Sequence, residues 1–176
     1  EIEEPPIPQC EEWGTLEKLK LEKEVVGIFI SGHPLDDYKL EIRSFGKGNL
    51  SMLDNVVALK GKEMAFATIC TGVQDRLTKK GKPFGVLEVE DYHSAYSFFV
   101  FGDDYVKLKP YFMQGQYLFI KGKVQPRPWS KDPDDVEFKI HSIELLSELR
   151  EKFVKSITLN IDTDSIDGEF INTINQ

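Results

Sequence analysis

Cysteine and histidine are scarce in this sequence. Its 176 residues include two cysteines and three histidines. Cys10 and Cys70 are too few and too far apart for a disulfide scaffold, and the set cannot supply the paired ligands of a zinc site. That usage fits a reducing, cytoplasmic compartment. No run of eighteen apolar residues is present, which excludes a membrane-spanning helix, and no basic-then-apolar stretch reads as a secretory leader. A Walker-type phosphate loop is missing too, because SFGKGNLS at 44–51 lacks the spacing. Metal-dependent nucleotidyl transfer needs two or three converging carboxylates. The paired acids Asp103–Asp104 and Asp134–Asp135 fall at a predicted helix cap and in a loop, with no third acid placed to join them. A Ser–His nucleophile at Ser31 and His33 lacks an orienting acid, so Ser-Gly-His-Pro reads as a helix stop and turn with His33 hydrogen-bonded locally. No catalytic residues, metal ligands or cofactor are expected in this chain.

What is present is globular in composition, 40 % hydrophobic and 30 % charged. The net charge of −8 conceals a strong asymmetry. Residues 60–131 carry 12 Lys/Arg against 7 Asp/Glu, while 1–59 carry 6 against 12 and 132–176 carry 4 against 11. A basic middle between acidic flanks fits a nucleic-acid partner, since counter-ion release depends on local cations, and on charge alone it fits equally a solvated surface of uneven sign.

The chain divides into four parts. Residues 1–14 form a proline-rich, acidic and disordered lead. Residues 15–59 form a helical segment and linker. Its first helix runs from Thr15, the expected N-cap, to about Ile30, with Leu16, Leu19 and Val26 on one face and a stop by Gly32. Another helical turn is expected from Asp36 to about Ile42. Residues 60–147 are strand-rich: EMAFATICTGVQD, FGVLEVED, AYSFFVFG, QYLFIKGKVQ and VEFKIHSIELL, the last running into a helix that ends near Arg150. In FGVLEVED, Gly85, Leu87 and Val89 alternate with Phe84, Val86 and Glu88. One helix over 103–112, capped by Asp103, separates the third and fourth strands. Residues 148–176 are the helix end and the start of a further, truncated domain with SITLNID as its first strand.

Five strands with a helix between the third and fourth predict an OB-fold barrel, mainly β, with Gly72, Gly85 and Gly122 letting the strands curl. An SH3-like barrel lacks that helix.

Two stretches carry a family resemblance. EKEVVGIFISGHPLDDY, residues 22–38, with Gly27, Ser31, Gly32, His33, Pro34 and Leu35, resembles the segment before the OB domain of bacterial replicative DNA polymerase III alpha subunits. KKGKPFGVLEVED, residues 79–91, is similar to that family's turn and second strand, and FVFGDDYVKLKPYF and LFIKGKV follow in order. Where that family usually carries an aromatic, Val86 stands here, which removes one stacking platform. The resemblance covers about residues 15–150. It implies a piece of a longer DNA-directed DNA polymerase, a nucleotidyltransferase using Mg, with its palm, fingers and phosphoesterase-like domains upstream. This chain is then no enzyme by itself, consistent with its opening on Glu1.

The expected role is a single-stranded DNA-binding module holding template near the polymerase active site in chromosomal replication. OB-folds bind along strands two and three between two bordering loops. The loop between the first two strands supplies Arg76, Lys79, Lys80 and Lys82, with Phe84 beside them; the loop between the last two supplies Arg127, Trp129 and Lys131. Core burial is the more frequent fate of Phe98, Phe99 and Phe101, so Trp129 is the better stacking candidate. Other replisome subunits are expected as partners of the flanking and missing regions. The alternative is a replisome protein–protein interaction module without DNA contact. A tRNA synthetase anticodon-binding OB-fold has no place for the Ser-Gly-His-Pro-Leu segment.

Overall fold

A computed structural model describes residues 13–156. The acidic lead with Cys10, up to residue 12, and SITLNID after its first residue, with the rest of the final segment, lie outside the described residues.

Helix α1 spans Thr15–Val26. Gly14, not Thr15, occupies the cap position, and no side chain caps the helix. The helix ends four residues before Ile30, because Gly27 adopts φ +85°, a left-handed conformation that closes the last turn onto the Lys23 carbonyl. Leu19 is buried as expected, whereas Val26 is exposed. The following apolar stretch folds back: the carboxylate of Glu22 accepts the backbone N–H groups of Ile30 and Ser31, both at 2.8 Å, and the Ser31 hydroxyl.

Ser-Gly-His-Pro is a turn with His33 hydrogen-bonded locally, as expected, but it is not the helix stop, which lies earlier at Gly27. His33 caps a 3-10 turn over Pro34–Tyr38, accepting the Leu35 N–H on Nδ1 at 3.1 Å, while the Asp36 carboxylate accepts the His33 N–H at 2.8 Å. The His33 ring sits 5.2 Å from Phe29 and 4.3 Å from Tyr92, and burial lowers its pKa. The Tyr92 hydroxyl donates to Asp36 at 2.9 Å, which ties this turn to the sheet. Helix α2, Lys39–Phe45, follows.

The sheet contains β1 (Glu63–Leu77), β2 (Pro83–Glu90), β3 (Ala95–Phe101), β4 (Tyr117–Pro126) and β5 (Val136–Leu145). All pairings are antiparallel in the order β3-β2-β1-β4-β5. This is the expected OB-like arrangement, though the sheet is open: β3 and β5 are its two edges. The fifteen-residue β1 pairs with β4 through Glu63–Ile69 and with β2 through Ile69–Leu77. Serving two ladders forces it to bend, and its register slips between Cys70 and Gly72. A Cβ at Gly72 would run into the Glu88 side chain. The second slip, between Lys121 and Gly122, brings the β4 backbone onto β5, where a Cβ at Gly122 would strike the Lys139 carbonyl and the Phe138 ring.

Helix α3 spans Gly102–Leu108 and continues as a 3-10 turn through Tyr111. It starts one residue earlier than expected, so Asp103 lies in its first turn and does not cap it; Phe101 occupies the cap position. The buried Tyr105 and Phe112 rings close one end of the core, and a Cβ at Gly85 would come within 2.5 Å of both. Phe66, Leu87, Phe98, Leu118 and Ile143 fill the interior. Leu50, Leu53 and Leu59 join them from a kinked 3-10 segment over Leu50–Leu59. Buried Asp91 fixes that segment, accepting the N–H groups of Leu50 at 2.6 Å, His93 at 2.8 Å and Ser94 at 2.9 Å. A second core on the outer side of β1 and β4 joins Leu35 to Phe119, Leu146 and Leu149, the last of these opening α4 (Leu149–Phe153), which runs slightly past Arg150. There the buried carboxylate of Glu41 on α2 pairs with Arg150.

Gly122→Ala should destabilise the fold by about 1–3 kcal/mol, the usual cost of overpacking. Gly14→Ala, with open space around it, should not. Urea unfolding of both variants checks this, and equal midpoints would show slack in the β4 bend. Asp36 should titrate at about 2, held down by the His33 N–H and by Lys39. Because the folded pKa lies below the ordinary value of 3.8, its stabilisation is complete above that value and is lost as pH falls towards 2. Carboxyl NMR titration should locate it, and Asp36→Asn should remove that part of the acid dependence.

Candidate nucleic-acid interface

Alternation assigns the outer face of the first three strands. On β3, Phe98 and Val100 are buried, while Ser97, Phe99 and Phe101 are exposed. Register places Phe84 opposite Phe101, Val86 opposite Phe99 and Glu88 opposite Ser97; on β1, Arg76 and Gln74 lie beside Phe84 and Val86. The same side of the sheet therefore carries Arg76, Phe84, Phe99 and Phe101. The Phe84 and Phe101 rings stack at 4.9 Å with 20° between their planes. Phe99 is 58 % exposed and Phe101 50 %. Val86, the valine in place of an aromatic, faces outward but is covered. The Arg76 guanidinium donates to the Gln74 side-chain oxygen, and the Gln74 amide donates to Glu88 at 2.9 Å.

The β1–β2 hairpin is closed by the Thr78 N–H on the Lys82 carbonyl at 2.8 Å and the Gly81 N–H on the Thr78 carbonyl at 2.9 Å. Gly81 takes φ +74°, which a side chain would oppose. Lys79, Lys80 and Lys82 are exposed, and none pairs with a carboxylate among the described residues. Beneath the hairpin, Asp75 accepts the Tyr105 hydroxyl at 2.5 Å and the Lys109 ammonium at 3.1 Å. Those two donors lower its pKa and anchor the hairpin to α3.

The β4–β5 loop is held by its own acids. The Arg127 N–H donates to the Asp135 carbonyl at 3.0 Å, and its guanidinium lies 3.1 Å from the Asp135 carboxylate. Trp129 is 69 % exposed, with Arg127 5.9 Å from its ring centroid. Between the edges of β3 and β5 lies a groove of about 620 Å³, whose lining includes Phe99, Phe101, Arg127, Trp129, Phe138 and Lys139. Lys139 pairs across it with Asp104 of α3 at 3.1 Å.

Seven of the eight residues expected from the sequence thus fall on one connected surface. Arg76 and the three lysines lead to Phe84, Phe84 stacks on Phe101, and Phe101 shares the groove with Arg127 and Trp129. Lys131 is exposed in the loop but does not line the groove. Phe99 and Phe101, for which strand statistics favour the core, instead extend this surface. The signal lies in the pairing register, which puts them on the side of Phe84.

The paired acids are surface groups: Asp134 pairs with Lys60 at 2.9 Å, Asp135 with Arg127 and Asp104 with Lys139. Among the described residues no group of three or more His, Cys, Asp or Glu could hold a metal ion, and no helix is long and apolar enough to cross a membrane. Cys70 is buried, which pushes its thiol up to about 11.

No protein-family model matches the chain. The DNA polymerase III subunit alpha of Borreliella burgdorferi is 32 % identical over 143 residues, covering 79 % of this chain and 12 % of that protein. The subunit of the same name from Escherichia coli K12 is 22 % identical over 167 residues, covering 95 % and 14 %. That of Bacillus subtilis is 25 % identical over 167 residues with the same coverage, 95 % and 14 %. The chain therefore spans 12–14 % of the length of these relatives. Among solved structures, the Entamoeba histolytica asparaginyl-tRNA synthetase in complex with asparaginyl-adenylate gives a TM-score of 0.31 at 18 % identity, covering 56 % of this chain and 25 % of that one. So loose a likeness supports no comparison of folds.

Proposed function

From its kinship with one segment of the bacterial DNA polymerase III alpha subunits, we propose that this chain is a single-stranded DNA-binding module of such a polymerase. It holds template near the polymerase active site during chromosomal replication in the cytoplasm. Nucleotidyl transfer with Mg belongs to catalytic domains of the parent outside this chain, and other replisome subunits meet the flanking regions.

The observation that supports this reading most is the continuity of charge and aromatic surface. Four cations, Arg76, Lys79, Lys80 and Lys82, have no carboxylate partner among the described residues, and they adjoin an outward strip of phenylalanines. Cations left unneutralised by the protein attract phosphates and release their counter-ions, while flat rings offer stacking to any base. Arg127 and Trp129 form the other border, with Lys131 exposed in the same loop outside the groove.

A second reading, a replisome interaction module without DNA contact, is favoured by the exposed apolar residues Val25, Ile28 and Ile30 at the end of α1. Binding measured against salt separates the two. A 30-nucleotide single strand should bind at low salt and weaken as salt rises. Replacing Lys79, Lys80 and Lys82 with alanine should weaken binding and reduce the slope by about 0.7 for each phosphate no longer neutralised. Trp129→Ala should cost about 1–3 kcal/mol with little change of slope. Absence of binding at low salt, with the thermal transition intact, would favour the interaction module.

A further inference from the structure

The outer side of β1, β4 and β5 carries another cavity, of about 480 Å³, which shares no residue with the groove between β3 and β5. Its floor is hollow because β1 contributes only the small Ala65 opposite Lys121 of β4. Two helix ends wall it: Phe45 closes α2, Phe153 closes α4, and their rings lie 5.7 Å apart. The Lys121 ammonium lies 4.3 Å from the Phe153 ring centroid and steadies that wall.

Strand β5 shapes the rim. Its interior residues are Val136, Phe138 and Ile140, then Ile143 and Leu145, so the alternation gains one residue after Ile140. The ladder agrees, passing from Lys121 opposite Ser142 to Gly122 opposite Ile140 and leaving His141 as the extra residue of a bulge. His141 and Ser142, adjacent in the chain, therefore both line the cavity. A regular strand would turn one of them to the other face.

Charges around the cavity balance with one exception. Lys121 lies 3.3 Å from both carboxylate oxygens of Glu144, and Glu63, the acid in the lining, stands opposite Lys123 in the ladder. Lys47 is exposed and has no carboxylate partner among the described residues. Its backbone is fixed at the rim, with its N–H on the Ala65 carbonyl at 2.8 Å. An ammonium, an imidazole N–H and a hydroxyl are thus offered together as donors. They suit a group with one negative charge and several acceptor lone pairs. A polyanion suits them badly, because each further charge would face Glu63 or Glu144. Next to the donors, Phe153 leaves 41 % of its surface for an apolar body to cover. The last residue of a polypeptide joins an α-carboxylate and a large side chain within one unit.

We infer that this cavity binds the C-terminal residue of a partner polypeptide, with its α-carboxylate on Lys47, His141 and Ser142 and a large apolar side chain against Phe45 and Phe153. This protein-binding site lies on strands other than those of the proposed single-strand face and does not depend on that reading.

The test titrates the 176-residue chain with short labelled peptides identical except at the end: phenylalanine with a free carboxylate, phenylalanine amide, and glycine with a free carboxylate. The parent should bind the phenylalanine acid roughly 10- to 150-fold more tightly than the amide, the range for hydrogen bonds to a charged group, and more tightly than the glycine peptide. Lys47→Ala and His141→Ala, two exposed positions altered independently, should weaken the acid and leave the amide unchanged. Phe153→Ala should weaken both phenylalanine peptides. Thermal unfolding of each variant identifies any loss that comes from the fold, and amide NMR shifts of the parent on adding the acid should concentrate at Lys47, Ala65 and Ser142. Equal binding of acid and amide by the parent, absence of binding at millimolar peptide, or shifts confined to the groove between β3 and β5 overturns the assignment. Displacement of the peptide by a thymidine oligomer also overturns it, by making the cavity part of the nucleic-acid surface. Each of these outcomes leaves the single-strand reading in place.

Discussion

One strand has to belong to two ladders. β1 gives its first half to β4 and its second half to β2, and a straight strand cannot do this while keeping both partners in the same curved sheet. The bend is taken up at Gly72, and β4 makes its own adjustment at Gly122, where its backbone comes against β5. The rest of the architecture depends on these two irregularities. They turn β2–β3 and β4–β5 towards each other around one interior, bring the two sheet edges to opposite banks of a groove, and leave the hairpin beyond Arg76 projecting from the folded body.

The helical layer is joined to that sheet through polar groups of the β2–β3 turn. Asp91 collects three backbone donors, one of them 41 residues away at Leu50, and Tyr92 reaches Asp36 in the capped turn. Lys23 of α1 pairs with Glu90 immediately before them. Three consecutive residues, Glu90, Asp91 and Tyr92, therefore fasten three separate pieces of the preceding segment. Since β2 and β3 also carry the outward aromatic strip, the helical segment and the proposed binding face share a rigid support.

Much of this was legible in the sequence. Strand order follows from turn residues and apolar runs, the inward and outward sets of β2 from period-two alternation, and the Ser-Gly-His-Pro turn from proline stereochemistry. The misses have identifiable causes. Leu50–Leu59 reads as linker because a 3-10 segment broken at Asn55, with φ −121° and ψ 62°, has no helical period to display, although its leucines enter the core. Helix α1 stops at Gly27 within an apolar run whose pattern would equally continue the helix. Phe99 and Phe101 could not be told from core residues without the cross-strand register, a long-range property. The hairpin cations were readable because they are local, whereas the groove that joins them to Trp129 is made by strands far apart in the chain.

The pair between Glu41 and Arg150 has a consequence for the order of assembly. Glu41 is almost fully buried, one of its oxygens has no hydrogen-bond partner among the described residues, and the other pairs with Arg150. The two residues are 109 positions apart. On a ribosome, α2 emerges long before its counter-charge exists, and until then its carboxylate is better left in water. The contact that covers this carboxylate can therefore close only after the last strand and α4 have been synthesised.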